Sequence, residues 1–592
     1  MYISGGGVRA KMARRVLLSR LSVVERCRPT YFTCSISLSL ELLPWRASYH
    51  TMLTAEKSTS VVLMPQQGIT VAATQAAAAT AAAAATLVTT TTTPQQTRCF
   101  TAQKHQQQPE LSVEQQYEEC ISDLNTLQSN AITIRRSILL NNKQLPLTDT
   151  YKYMERSGLS LDELEHIPFI HVSGTKGKGS TCALTESILR AHGVRTGFFS
   201  SPHLLSVTER LRLNGKPISK QKFVRTFRKV YNRLRSQQQY EGDMPAYFKF
   251  LTILSFHLFL EEKVQVIIME VGIGGELDCT NVIRNTQTVG ITSLGLEHTH
   301  LLGDTLSEIA WQKAGIIKEN ADVYTSVTQE ECLDVIKARA KERNANLHIV
   351  PEYEEYFHKP EIEALLSNLN EVIRLNGSLA IQLAYDWLRK NGYSRYKQVE
   401  STELTSEVER GLQQCNWPGR CEILNIENLK FHIDGAHTVE SIRVCCDWYK
   451  RVTEKSTNPR VLIFNTTGER DSRRLLEVLH SSNEFAIVCF VPNISSGASN
   501  HNDNTSVYGI TEQLKRARLH SSIWYQLCME SEETDTSKTF GSIVDCLLHL
   551  RQVYGAKQEV DVLVTGSLHL IGATMAAFKD FQQKLEEHGN GV

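Results

Sequence analysis

Beyond Glu110 the chain alternates short apolar runs with amphipathic stretches, the order produced when buried strands alternate with the helices that cover a sheet. Phe169 to Val172, Val264 to Val271 and Val289 to Ser293 are predominantly apolar, and each reaches a glycine or polar cluster at its end. Such runs predict parallel strands buried on both faces. Thr181 to Ala191, stopped by Gly193, and Leu306 to Ala314, stopped by Gly315, predict helices. A polar stretch from Glu400 to Gln414 follows, and then the rhythm resumes with strands expected at Leu429 to Ile433, Val461 to Phe464, Phe485 to Val491 and Val560 to Val564. Asp434, Asn465 and Gly566 directly follow three of these, where open parallel sheets bind their ligands. The expected organisation is an α/β domain over 110–405 and a smaller Rossmann-like α/β domain over 406–592. Within the second, the Ser-, Asn-, Asp- and Thr-rich region at about 493–540 reads as a surface insertion.

Upstream of Glu110 the rhythm is missing. Residues 1–54 carry Arg9, Lys11, Arg14, Arg15, Arg20, Arg26, Arg28 and Arg46 against only Glu25 and Glu41, a composition that suits a mitochondrial presequence. Initiation at Met52 would delete it, so both the mitochondrial matrix, with inner-membrane association, and the cytoplasm are expected locations. Residues 55–109 read as a linker: Val71 to Thr93 is almost pure alanine and threonine, glutamines follow to Gln108, and neither can bury a core. No run of about 20 strongly apolar residues occurs, so no membrane-spanning helix is expected.

A length of 592 residues exceeds what one core organises, consistent with two domains plus tails. Lysine plus arginine and aspartate plus glutamate both total 64, which gives no electrostatic case for nucleic acid or an anionic membrane. Any anion site must therefore be local. The 14 cysteines are scattered without a C-x-x-C pair, as in a reducing compartment.

The local anion site is legible between Ile170 and Thr181. Gly174, Gly177 and Gly179 free backbone N–H groups to turn toward an anion, the helix that follows offers its positive end, and Lys178 adds a mobile cation. Nucleoside triphosphate is the ligand to expect. The loop departs from the generic G-x-x-x-x-G-K-[ST] pattern, with Val172 at the first glycine and Gly179 between Lys178 and Ser180. Glu270 closes an apolar strand on the same sheet edge, a position suited to a magnesium ligand.

These segments, with Ser200-Ser201-Pro202-His203-Leu204, Trp311-Gln312-Lys313-Ala314-Gly315-Ile316, Trp417-Pro418-Gly419-Arg420, Asp434-Gly435-Ala436-His437 and Thr565-Gly566-Ser567-Leu568-His569-Leu570, occur in one order. From about Leu127 to the C-terminus the chain resembles the Mur-ligase-like family, and within it the eukaryotic folylpolyglutamate synthases. The resemblance implies a P-loop-containing N-terminal domain and an ATP-dependent ligase that adds L-glutamate to the γ-carboxylate of tetrahydrofolate and its polyglutamates through an acyl phosphate, with dihydrofolate synthase as the alternative. It implies ATP contacts at Gly177, Lys178, Gly179, Ser180, Arg420 and Asp434, magnesium ligands at Ser201, Glu270 and His298, and catalytic roles for Lys178, Lys313 and His437. Lys313 matches a position carbamylated in relatives, and a monovalent cation is a further candidate. The implied partners are reduced folates, L-glutamate and ATP, with no nucleic acid, and the chain is expected to be a monomer. Arg210 and Arg212 fall near the folate region. Two departures stand out: Glu297 replaces the family's usual aspartate, and the His-Gln-x-x-Asn-Ala signature aligns with Val372 to Gly377, keeping only Asn376.

Overall fold

The computed structural model describes residues 111–128, 145–284, 286–357, 360, 363, 371–468, 470–496 and 509–589. The expected presequence and linker lie outside them. Two sheets organise the described chain. The first contains β1 (Phe169–Ser173), β2 (Thr196–Phe199), β3 (Leu211–Leu213), β4 (Lys216–Pro217), β5 (Val266–Glu270), β6 (Thr288–Ile291), β7 (Asp322–Thr325) and β8 (Asn346–Ile349), in the order β4-β3-β2-β5-β1-β6-β7-β8. Its strands are parallel except at the β2–β3 and β3–β4 edge. Every residue of β1 and β5 is buried, as continuous apolar runs require when helices cover both faces. The register sets Val172 beside Glu270 and Ser173 beside Ile291, so the loops after β1, β5 and β6 leave from one rim.

The second sheet contains β9 (Glu422–Ile426), β10 (Leu429–Ile433), β11 (Arg460–Phe464), β12 (Ile487–Phe490), β13 (Ser537–Thr539) and β14 (Val560–Thr565), in the order β13-β12-β11-β14-β10-β9. The last strand inserts between β10 and β11, pairing Ile433 with Val564 and Phe464 with Thr565. Asp434, Asn465 and Gly566 thereby meet at one rim. Gly566 has φ +114°, and a Cβ there would lie 2.4 Å from the Asn465 carbonyl oxygen, so this junction requires glycine.

Two sequence expectations need correction. The helix Ser406–Gln413, expected to open the second domain, buries Val408 and Leu412 with Ile188 and Leu189 in the core of the first. Ser187 Oγ donates to the Gly411 carbonyl at 2.7 Å, fastening this helix to the helix Lys178–Ala191 that follows the phosphate loop. The region 493–540 is not simply a surface insertion: its helix Ile510–Glu530 buries Ala517, Trp524, Leu527 and Cys528 against Leu476, Leu479 and Phe490, and β13 extends the sheet. The buried positions recur at helical spacing, but the polar residues between them dominate the composition.

The two halves are also joined by packing. Leu204, from the first half, is buried in the core beneath the second sheet, and Gly572 is bare where a Cβ would strike the Leu204 carbonyl. Among the described residues, no helix is long and apolar enough to cross a membrane.

Candidate active site

The phosphate loop depends on two backbone states that glycine adopts readily: Gly174 has φ +145°, and Gly177, at φ +85°, precedes the first turn of the helix Lys178–Ala191. The Thr175 N–H donates to the Ser293 carbonyl at 2.9 Å, which ties the loop to the segment after β6. Two lysines converge on it. Lys178 Nζ donates to the carbonyls of Gly174 (3.1 Å) and Thr175 (3.4 Å), while Lys313 Nζ donates to that of Gly174 at 2.7 Å. Ser173 Oγ in turn holds the Lys313 carbonyl at 2.9 Å. Burial, followed by the Lys178 charge, brings the Lys313 ammonium down to about 7.

A cavity of about 790 Å³ opens between the halves. Gly177, Lys178, Gly179 and Ser180 line it on the loop side, and Ser201, Glu270 and His298 border the same space. From the second half come Arg420, Asp434 and His437. Of the expected site residues only Lys313 stands apart, buried behind the loop rather than on the cavity wall.

Glu270 Oε2 accepts the Ser201 N–H at 2.9 Å, and a Cβ at Gly179 would sit 3.2 Å from its carboxylate. The carboxylate thus reaches the first turn of the phosphate helix. Burial pushes its pKa up despite the opposing charges of Lys178, Arg420 and Arg210, so the acid is incompletely compensated. A cation would complete that compensation. Among the described residues, no group of three or more His, Cys, Asp or Glu side chains could hold a metal. In the expected set the Glu270 carboxylate and the Ser201 hydroxyl offer the oxygens magnesium prefers, with waters and substrate phosphates to complete its shell, whereas the His298 imidazole is an unusual donor for it. Burial lowers His298, with Glu297 opposing and Lys313, Lys178 and Lys176 assisting, and so favours the neutral imidazole.

In the second half the fixing is done by backbone. Asp434 Oδ2 accepts the Cys421 N–H and Oδ1 the Ala436 N–H, each at 2.9 Å. His437 Nδ1 lies 2.8 Å from the Gly435 carbonyl, leaving Nε2 turned to the cavity, 2.7 Å from Lys176 Nζ and 3.2 Å from Glu297 Oε1. Burial would raise Glu297, but its contact with His437 and the Lys176 charge hold it well below the usual carboxylate range.

Several cavity residues had no assigned task in the sequence. Lys176 has no role in the sequence reading, and Glu297 enters it only as a replacement for the family's aspartate. Arg470, which donates to the Thr467 carbonyl at 2.9 Å, follows β11 closely enough that its strand-end position was the available signal. The folate-region arginines divide. Arg210 lines the cavity and donates to His203 Nδ1 at 2.9 Å, whereas Arg212 lies 5.3 Å over the Trp417 ring, away from it. Asn376 and Leu375 also line the cavity, and Asn376 Oδ1 occupies the place a Cβ on Gly177 would take.

No family model matches the chain. The mitochondrial folylpolyglutamate synthase of Bos taurus is 34% identical over 549 residues, covering 79% of this chain and 92% of the relative. The chain belongs to the folylpolyglutamate synthase family. A structure of E. coli FolC in complex with DHPP and ADP matches with a TM-score of 0.58 at 24% identity, covering 79% of this chain and 98% of that one. The bifunctional folylpolyglutamate synthase/dihydrofolate synthase from Yersinia pestis, complexed with AMPPNP and Mn ion, matches with a TM-score of 0.54 at 24% identity over 73% of this chain and 93% of that one. Both share the α/β fold with two sheets found here. In this family member the cavity between the sheets gathers residues from both halves, so neither half alone can complete it.

Proposed function

We propose that this chain is an ATP-dependent ligase that joins L-glutamate to the γ-carboxylate of tetrahydrofolate and of its polyglutamates. The observation that carries the reading is the shared cavity, where the phosphate loop and Glu270 of one half face Arg420, Asp434 and His437 of the other. Family membership supports the reaction, and the ADP and AMPPNP named in the FolC-type structures support nucleotide as the occupant.

A carboxylate is a poor electrophile and must be activated. Its attack on the ATP γ-phosphate gives an acyl phosphate and ADP, and the amine of glutamate then displaces phosphate to form the amide. No side-chain nucleophile is needed. Backbone donors of the loop orient the phosphates, and Lys178 leaves its loop carbonyls to neutralise the transferring group. Ser201, Glu270 and His298 would hold magnesium, which when bound would offset phosphate charge. Arg420 suits phosphate and Asp434 the nucleoside. Closure of the two halves would keep water from the acyl phosphate.

Lys313 belongs to the same reading. An amine brought down to about 7 is substantially unprotonated at neutral pH, so it can add CO₂, lose a proton and become a carbamate. Its negative charge would then stand beside Lys178 in place of a second cation. The Bos taurus relative's name and the basic composition of residues 1–54 support mitochondrial residence, and in this reading a product starting at Met52 stays cytosolic.

The test is incubation of purified protein with ATP, labelled L-glutamate and either tetrahydrofolate or dihydropteroate, followed by mass analysis. Successive glutamate additions to tetrahydrofolate are expected. Efficient conversion of dihydropteroate without extension of tetrahydrofolate would assign the chain to dihydrofolate synthesis instead.

A further inference from the structure

The phosphate loop carries two lysines, and they point to different partners. Lys178 folds onto the carbonyls of its own loop, whereas Lys176 reaches across the cavity. Its ammonium lies 3.0 Å from Glu297 Oε1, after β6, and 2.7 Å from His437 Nε2, after β10 in the other half. All three side chains are largely withdrawn from water, at 30%, 18% and 17% exposure for Lys176, Glu297 and His437. Two of the backbones are anchored as well: the Lys176 N–H donates to the Ser293 carbonyl at 3.4 Å, and the His437 N–H donates to Ser441 Oγ at 3.0 Å.

The hydrogen bonds agree on one arrangement of protons. With the buried ring neutral and Nδ1–H donating to the Gly435 carbonyl, His437 Nε2 accepts, and the Lys176 ammonium is the donor beside it. Glu297, an ionised carboxylate that can only accept, then serves as the counter-charge of Lys176 rather than as the acceptor of a ring N–H. One ammonium therefore connects the loops after β1, β6 and β10 and sets the direction of the His437 lone pair. Charge pairs so poorly exposed to solvent are screened less than surface pairs, and loss of one partner leaves the other without compensation.

We propose that Lys176 is a positioning residue, a clasp whose ammonium, held between Glu297 and His437, keeps the second half closed over the phosphate loop and the His437 ring directed into the cavity. This rests on the ligase reading for its effect on turnover, but the clasp itself is a structural claim. Phosphate neutralisation stays with Lys178, so removal of Lys176 affects the closed, reactive state more than nucleotide capture.

The experiment compares Lys176→Met, Lys176→Arg, Glu297→Gln and the Lys176→Met/Glu297→Gln double variant with the wild type. Three readouts are taken: steady-state ligation, ADP affinity by calorimetry, and nucleotide-free dimensions by small-angle X-ray scattering. Lys176→Met is expected to lower kcat about tenfold with ATP KM and ADP affinity within about twofold, and to enlarge the radius of gyration. Lys176→Arg, which keeps the charge and can reach both partners, should restore at least half of the activity. Because both residues act through one contact, the double variant should fall about tenfold, not about a hundredfold. Unchanged kcat and dimensions in Lys176→Met, a loss confined to ADP affinity, or additive losses in the double variant would each overturn the clasp. Failure of the wild type to glutamylate folate would instead remove the ligase reading, and scattering would still judge the contact.

Discussion

The rims of the two sheets face the same cavity but are finished differently. At the first rim, charges are crowded and incompletely compensated: Lys178 and Lys313 both donate to the Gly174 carbonyl, and burial drives Lys313 down and Glu270 up. At the second rim the backbone has already satisfied the acid, because Asp434 accepts two N–H groups and Gly566 lets β14 approach Asn465 closely. In the ligase reading an anionic ligand and a cation complete the first rim. The second is preformed, and it contributes by being brought up to the first.

If that contrast holds, the most damaging substitutions lie on the first rim. Lys178→Ala and Glu270→Gln should each lower kcat by a factor of about 10² or more, since each removes charge directed at the transferring group or its metal. Thermal melting should show both variants folded. A well-folded Glu270→Gln protein turning over at a near-normal rate would remove Glu270 from the chemistry and erase the difference between the rims.

In stability, by contrast, the two halves should behave alike. Each hides a neutral histidine: His171 on β1, whose Nε2 lies 2.9 Å from Thr280 Oγ1, and His520, 3.0 Å from Ser472 Oγ. Burial lowers both from 6.5 to about 3. The unfolded chain therefore binds more protons below pH 6.5, and stability should fall as pH drops from about 6.5 toward 3. At pH 5 the loss relative to pH 7 should be about 2 kcal/mol per histidine. Urea unfolding at the two pH values measures it, and equal midpoints would show that neither ring is held neutral by the fold.

What was legible in the sequence follows the same division. The phosphate loop could be read because its glycines and Lys178 are contiguous, and Glu270 because an acid closing an apolar run can only sit at a strand end. Asp434, Asn465 and Gly566 were placed at strand ends by the same argument, although their meeting depends on β14 entering between β10 and β11, an order the pattern does not encode. The contact of Lys176, Glu297 and His437 could not be seen, since the lysine stands 121 residues from Glu297 and 261 from His437. The helix Ser406–Gln413 lay hidden in what reads as a polar connection, and nothing in that stretch says which core receives Val408 and Leu412. In Ile510–Glu530 the apolar stripe was diluted by its polar neighbours.

A smaller effect is expected at the preformed rim. Asp434→Asn keeps the shape of the side chain but gives up one carboxylate oxygen, so either the Cys421 or the Ala436 N–H loses its acceptor. ATP KM should rise about tenfold with kcat less affected, the reverse of the Glu270→Gln pattern. A fall in kcat without a change in KM would mean that the second rim carries transition-state charge after all.

The smallest expected effect separates two arginines that sequence spacing could not. Arg210 lines the cavity, half-buried beside His203 and 5.4 Å over the Tyr247 ring, and its charge reaches Glu270. Arg212, two residues on, packs its guanidinium over Trp417 and Phe198 instead, where it supports the contact between the strand β2 and the segment leading to Arg420. Arg210→Met should therefore raise folate KM about fivefold by removing a cation available to an acidic substrate. Arg212→Met should leave folate KM within about twofold and lower the melting temperature, because what it loses is packing and a cation–π contact. Folate KM values and melting curves for the two variants make the comparison directly. A larger KM change in Arg212→Met than in Arg210→Met would show that the substrate path runs along the Trp417 side of the cavity.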